Sequence, residues 1–171
     1  CKSVDQYQKA LEYYAKDLAI KKKVGDVSGE GTTLNNMGVA YSSLGQYPKA
    51  LDLYEKSLAI KQKLGDVKGE LATLHNIGVV CWNLGQYQKA LEYYNKSLPI
   101  SQKLGNVKGE GITLSAIGLV YNDLGQYQKA MEHYEKSLAI RRKVGDVKGE
   151  GVTLNNIGLV YKSLVQYQKA L

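Results

Sequence analysis

Few side chains in this sequence are of types that make or break covalent bonds, and their spacing limits what they can do. His75 and His133 are the two histidines. They fall on different predicted helices, and no Cys, Asp or Glu recurs beside either at the spacing of a metal site. Glycine-rich stretches such as GDVKGEG at 145–151 recur along the chain. They lack the lysine-serine pairing of a phosphate-binding loop and read as helix junctions. Glu30, Glu70, Glu110 and Glu150 recur too, as residues of helix starts. These patterns predict no active site, no bound metal and no cofactor. Asn36, Asn76 and Asn156 offer different chemistry. An amide side chain both donates and accepts, so it can engage the C=O and N–H of an extended peptide. Ala116 interrupts that ladder, and Trp82, the one tryptophan, is the strongest single candidate for a binding centre. Ordinary packing of Trp82 against a neighbouring hairpin is the competing reading.

The elements that must carry these residues are set by a repeat. Tyr7, Tyr47, Tyr87, Tyr127 and Tyr167 stand 40 residues apart, without insertion or deletion. Each opens a phrase of the type QYQKALEYY, and each full copy carries a preceding phrase of the type TLNNIGLVY. Such copies are one supersecondary unit repeated, each burying its apolar face on the next. The predicted organisation is a single array over 1–171. It comprises a truncated repeat at 1–24, full repeats at 25–64, 65–104 and 105–144, and a truncated repeat at 145–171.

Within one repeat, Gly65 is placed to end a helix and Asp66 to cap the next. Leu71, Leu74, Ile77, Cys81 and Leu84 follow at steps of three and four, the spacing of an amphipathic helix. After Gly85, the residues Tyr87, Ala90, Leu91, Tyr94 and Leu98 repeat that spacing in a second helix. Gly38, Gly78 and Gly118 lie inside predicted helices, where glycine costs about 1 kcal/mol relative to alanine. Their recurrence predicts close helix approach. Pro99, in place of an alanine, predicts a kink in its helix or an early end to it.

The chain carries 23 basic and 16 acidic residues, a net charge of +7. Most Lys and Arg fall on the second helices, many in the last turn, where the helix dipole favours cations. No apolar run reaches the roughly 20 residues needed to span a bilayer, and no secretory leader is visible. Cys1 and Cys81 share a repeat position two repeats apart, too far for a disulfide, and read as thiols suited to a cytoplasmic setting.

These phrases resemble the tetratricopeptide repeat. In the second full copy the matching residues are Ile77-Gly78, Cys81, Gly85, Tyr87, Ala90 and Tyr94. Ser57, Ser97 and Ser137 replace the family's small alanine, and the closing proline is absent. The period is lengthened to 40 from the family's usual 34 or so. The longer form is similar to kinesin-light-chain and Pins-type arrays and to long bacterial, cyanobacterial-like arrays. The resemblance implies an all-α fold, a right-handed superhelical solenoid of antiparallel helix hairpins. It further implies a protein–protein interaction scaffold, a fragment of something larger, whose first helices line a concave groove.

By register the groove residues are Asn35, Asn36 and Val39, then His75, Asn76, Val79, Trp82 and Asn83. Ser115, Leu119 and Asn122 follow, then Asn155, Asn156, Leu159 and Lys162. The family's carboxylate clamp is not matched, because Val39, Val79, Leu119 and Leu159 stand at its Asn position and Lys162 is the one cation of the set. A protein or peptide ligand with a neutral, mildly apolar surface is expected. The alternatives are nucleic-acid or anionic-surface binding through the basic outer rim, and head-to-tail self-association. The second rests on the chain opening at the end of a first helix and closing at the stub of a second helix after Gln166.

Overall fold

The computed structural model describes residues 2–170, with side chains over residues 4–165. The reading of Cys1 lies outside them. Among the described residues the chain is helical throughout. The elements are α1 (Lys2–Val24), α2 (Val27–Ser43), α3 (Tyr47–Leu64), α4 (Val67–Asn83), α5 (Tyr87–Lys103), α6 (Val107–Asp123), α7 (Tyr127–Lys143) and α8 (Val147–Ala170). They form two compact units, Cys1–Gln86 and Tyr87–Leu171. In the first, α2 packs on α1, α3 and α4, and α3 packs on α4. In the second, α6 packs on α5, α7 and α8, and α7 packs on α8.

The junction chemistry explains the helix boundaries. Asp26, Asp66, Asn106 and Asp146 each accept the N–H of the glycine three residues on, at 2.8–3.1 Å. This satisfies an amide that a helix start would otherwise leave unbonded. Within the hairpins, Gly45 turns the chain at φ 70°, a conformation that costs an L side chain dearly. Asp5 and Val165 occupy the same repeat position. There the helices do not turn: α1 spans 23 residues and α8 spans 24, against 17 or 18 elsewhere. The expected second-helix stub after Gln166 is therefore a continuation of α8. A β-branched valine is strongly disfavoured at positive φ, and the straight helix is its low-energy alternative.

The α2–α3 and α6–α7 hairpins each close on a glycine. A Cβ at Gly38 would lie 2.6 Å from the Tyr54 ring, and one at Gly118 would lie 2.8 Å from Tyr134. Both tyrosines are buried beside Ala50 and Ala130 respectively. Burial pushes the Tyr54 hydroxyl up to about 12 and raises that of Tyr134 as well. The serines that replace the family's alanine add a polar link. Ser57 and Ser137 donate to the carbonyls of Gly31 and Gly111, each at 2.7 Å.

Pro99 does not shorten its helix. The helix α5 runs 17 residues, as α7 does. Both Pro99 and Asn95 are exposed. The Asn95 carbonyl left without its helical N–H therefore faces water, which can satisfy it.

Candidate partner-binding face

The first helices α2 and α4 lie side by side in the first unit, and their polar residues bond to one another before any ligand is considered. Asn35 Oδ1 accepts from Asn76 Nδ2 at 3.2 Å and from Thr73 Oγ1 at 3.4 Å. Both asparagines are half-buried. Asn76 thus clasps its helix to the preceding first helix, and one of its two N–H donors is already used. Asn36 is half-buried and Val39 is exposed on α2. On α4, His75, Val79 and Trp82 are half-buried, and Asn83 is exposed. Asn83 donates to the Val79 carbonyl at 2.8 Å and accepts from the Tyr47 hydroxyl at 3.3 Å. Burial holds the His75 imidazole below the ordinary histidine range, so it is neutral at pH 7.

In the second unit, the same repeat position is drawn inward. Ser115 is buried, 2.8 Å from Ser137 Oγ and 3.2 Å from Thr153 Oγ1. Those two hydroxyls donate to the Gly111 and Gly149 carbonyls, so the Ser115 proton is the one left to join the three. Arg141 Nε donates to Ser137 at 3.1 Å, and its Nη1 donates to Asp146 at 2.8 Å. Ser115 therefore ties α6 to α7 and α8. Leu119, Asn122 and Asn156 are half-buried, while Asn155, Leu159 and Lys162 are exposed. Asn122 donates to Asp123 at 3.4 Å, and its own Oδ1 is buried without a partner in the described residues.

Sequence reasoning passed over the threonines. Thr33, Thr73 and Thr153 each donate to the carbonyl four residues back; Thr33 also reaches Asp17 on α1, Thr73 reaches Asn35 on α2, and Thr153 reaches Ser115 on α6. The signal was present in the phrase TL, identical in all four copies. It reads as plain helix until the neighbouring helix is placed. A hollow of about 450 Å³ is lined by Met37, Tyr41, Pro48, Lys49, Asp52 and Leu53, within the α2–α3 hairpin.

Several cations of the basic rim are ion-paired. Lys21 with Asp26, Lys61 with Asp66 and Arg141 with Asp146 stand at 2.8–2.9 Å. Lys22 and Arg142 face Glu30 and Glu150 at 3.7 and 2.7 Å. The Lys61 hydrogen bond, followed by that from the Gly69 N–H, holds the Asp66 carboxyl below its ordinary range. At the matching position the third copy replaces both charges, with Ser101 and Asn106. His133, on α7, stacks on Tyr121 at 5.4 Å, and burial lowers its pKa. Among the described residues, no group of three His, Cys, Asp or Glu is placed to hold a metal ion, and no helix is long and apolar enough to cross a membrane.

Comparison with known proteins places this arrangement. A family model described as tetratricopeptide repeat matches residues 2–63, 69–143 and 109–171. No curated protein matches. Among solved structures, BtubC (BKLC) from P. vanneervenii superposes with a TM-score of 0.85 at 22% identity, over 96% of this chain and 69% of that one. A putative kinesin light chain from Podosopora anserina, with nearly identical TPR-like repeats, gives 0.80 at 24% identity, over 97% and 82%. A Rap protein complexed with Competence and Sporulation Factor gives 0.80 at 18% identity, over 97% of this chain and half of that one.

Proposed function

The chain belongs to the tetratricopeptide-repeat family, and from that premise we propose that it binds a polypeptide segment against the faces of α2 with α4 and of α6 with α8. One observation carries this reading. The packing residues are near-identical from copy to copy, whereas outward first-helix positions differ: Thr32, Ala72, Ile112 and Val152; Ser42, Trp82, Asn122 and Lys162. A fixed scaffold with a varied face is the form a selective binding surface takes. The face mixes apolar side chains with amides and carries Lys162 as its cation, so the ligand is a neutral, mildly apolar segment. A protein of the same fold, the Rap protein, holds Competence and Sporulation Factor, which supports the reading. Asn36 and Asn156 are the amides assigned to the ligand backbone, since Asn76 is engaged with Asn35. Trp82, half-buried on α4, is the anchor.

The test is binding of a peptide selected by display against the intact chain. Trp82→Ala should weaken it by tenfold or more, the usual scale of an anchor residue. Asn36→Ala with Asn156→Ala should weaken it several-fold, and Lys56→Ala on the second-helix surface should leave it unchanged. Equal affinity across all variants would remove the proposal.

A further inference from the structure

The α2–α3 and α6–α7 hairpins carry a tyrosine and a lysine at the same repeat positions and differ in what lies against the tyrosine. In the α6–α7 hairpin the His133 ring stacks on Tyr121, with centroids 5.4 Å apart and planes inclined by 19°. Lys129 Nζ stands 5.4 Å from the centre of that same tyrosine ring. One tyrosine there accommodates a stacked ring and an ammonium together. In the α2–α3 hairpin Lys49 Nζ stands over Tyr41, again at 5.4 Å, but Leu53 replaces the histidine. Leucine has no ring to stack, and Tyr41 is the one aromatic residue lining the hollow of about 450 Å³ at this place.

That hollow has the parts of a small-molecule site. Met37, Tyr41, Pro48 and Leu53 give it an apolar lining, and its volume is in the usual range of ligand pockets. Its two charged groups are not equivalent. Asp52 is paired with Lys56 at 2.7 Å, whereas among the described residues no carboxylate pairs with Lys49. A ligand therefore meets one uncompensated positive charge, on an exposed lysine. All six lining residues belong to α2 and α3, two helices flanked by α1 and α4. None of the six is among the residues assigned above to the polypeptide segment.

We propose that this hollow binds a small planar aromatic molecule that carries a carboxylate. The ring lies on Tyr41 as His133 lies on Tyr121, against Met37, Pro48 and Leu53, and the carboxylate meets the Lys49 ammonium. Two stacked rings attract beyond what their buried area supplies. A neutral ring would leave the lysine uncompensated, and an aliphatic acid would lose the stack, so the ligand needs both features.

The experiment titrates naphthalene-2-carboxylate into the 171-residue chain and follows amide chemical shifts. The wild type should bind it with a Kd of about 1 mM, the scale for a ligand of this size, with the largest changes at Tyr41, Lys49 and Leu53. The neutral amide of the same ring should bind about fivefold more weakly, the upper scale of an exposed ion pair. Lys49→Gln should bring acid and amide to equal affinity. Leu53→His installs the ring that the α6–α7 hairpin already holds, so it should weaken binding by about tenfold or more. Circular dichroism checks that this variant keeps the fold, as a histidine does at position 133. Lys129→Gln, the matching change in the other hairpin, should leave the affinity as it was. Binding that is absent or does not saturate, or shift changes centred outside the α2–α3 hairpin, would overturn the proposal. So would a wild type that takes acid and amide equally, or a folded Leu53→His that binds like the wild type.

Discussion

Replacing Gly118 and Gly158 by alanine, one at a time, makes the same chemical change at the same repeat position in two different surroundings. In a helix interior the change stabilises by up to about 1 kcal/mol, because alanine has less backbone freedom to lose. At Gly158 nothing lies within 4 Å of the new methyl, so that gain stands alone. At Gly118 the methyl would stand 2.8 Å from Cδ1 and Cε1 of Tyr134. That ring is packed with Ala130, Met131 and Val160, and overpacking of this kind costs roughly 1–3 kcal/mol. The net effect at Gly118 is a loss of up to about 2 kcal/mol, and the two variants should differ by about 1–3 kcal/mol. For a chain of this size each kcal/mol moves the midpoint by about 2–4 °C. Thermal unfolding followed by circular dichroism reads the difference directly. Gly158→Ala should unfold above the wild type and Gly118→Ala at or below it. Equal rises for both would refute the seating of Tyr134 on Gly118, and with it the packing logic of the α6–α7 hairpin.

Asp146→Asn keeps a capping side chain but leaves the Arg141 guanidinium, 10% exposed, without its carboxylate. A loss of about 2–4 kcal/mol in chemical denaturation is expected, and adding Arg141→Ser, which reproduces the Ser101 and Asn106 arrangement, should recover part of it; a double variant no better than the single one would contradict this. Asp66 has its folded pKa lowered by Lys61 and the Gly69 N–H, so its contribution is full above the unfolded carboxyl pKa of about 3.9 and is lost as pH falls through the lowered folded value. The stability gap between wild type and Asp66→Asn should therefore be present at pH 7 and shrink toward pH 2 in parallel denaturation curves. Pro99→Ala restores a helical N–H opposite the exposed Asn95 carbonyl and should stabilise by about 1–3 kcal/mol, read as a raised unfolding midpoint.

Helix positions, capping residues and turn glycines were legible because each is fixed within a few residues of chain, and the 40-residue period repeats the evidence. Close approach at Gly38 and Gly118 was legible for the same reason: a costly glycine recurs inside a helix. The partners of Asn35, Asn76 and Ser115 were not. Each depends on which side chain of the neighbouring first helix comes opposite, at a sequence separation of 38 to 41 residues. Reading them as groove amides and hydroxyls missed that part of their bonding capacity is spent on packing. Pro99 shows the limit of a local rule. The lost hydrogen bond was legible, but whether water replaces it depends on the face of α5 that Asn95 occupies. At Val165 the missing turn glycine was visible in the sequence, and its consequence was a longer helix in place of a hairpin.

The central claim, that a polypeptide segment binds on the first-helix faces, is tested most directly by mapping a display-selected peptide onto the intact chain by amide chemical-shift changes. The account predicts that the largest changes cluster at Asn36, Val39, Val79 and Trp82 on α2 and α4, and at Leu119, Asn156 and Leu159 on α6 and α8. Changes centred instead on the outward residues of α3, α5 and α7 would contradict it.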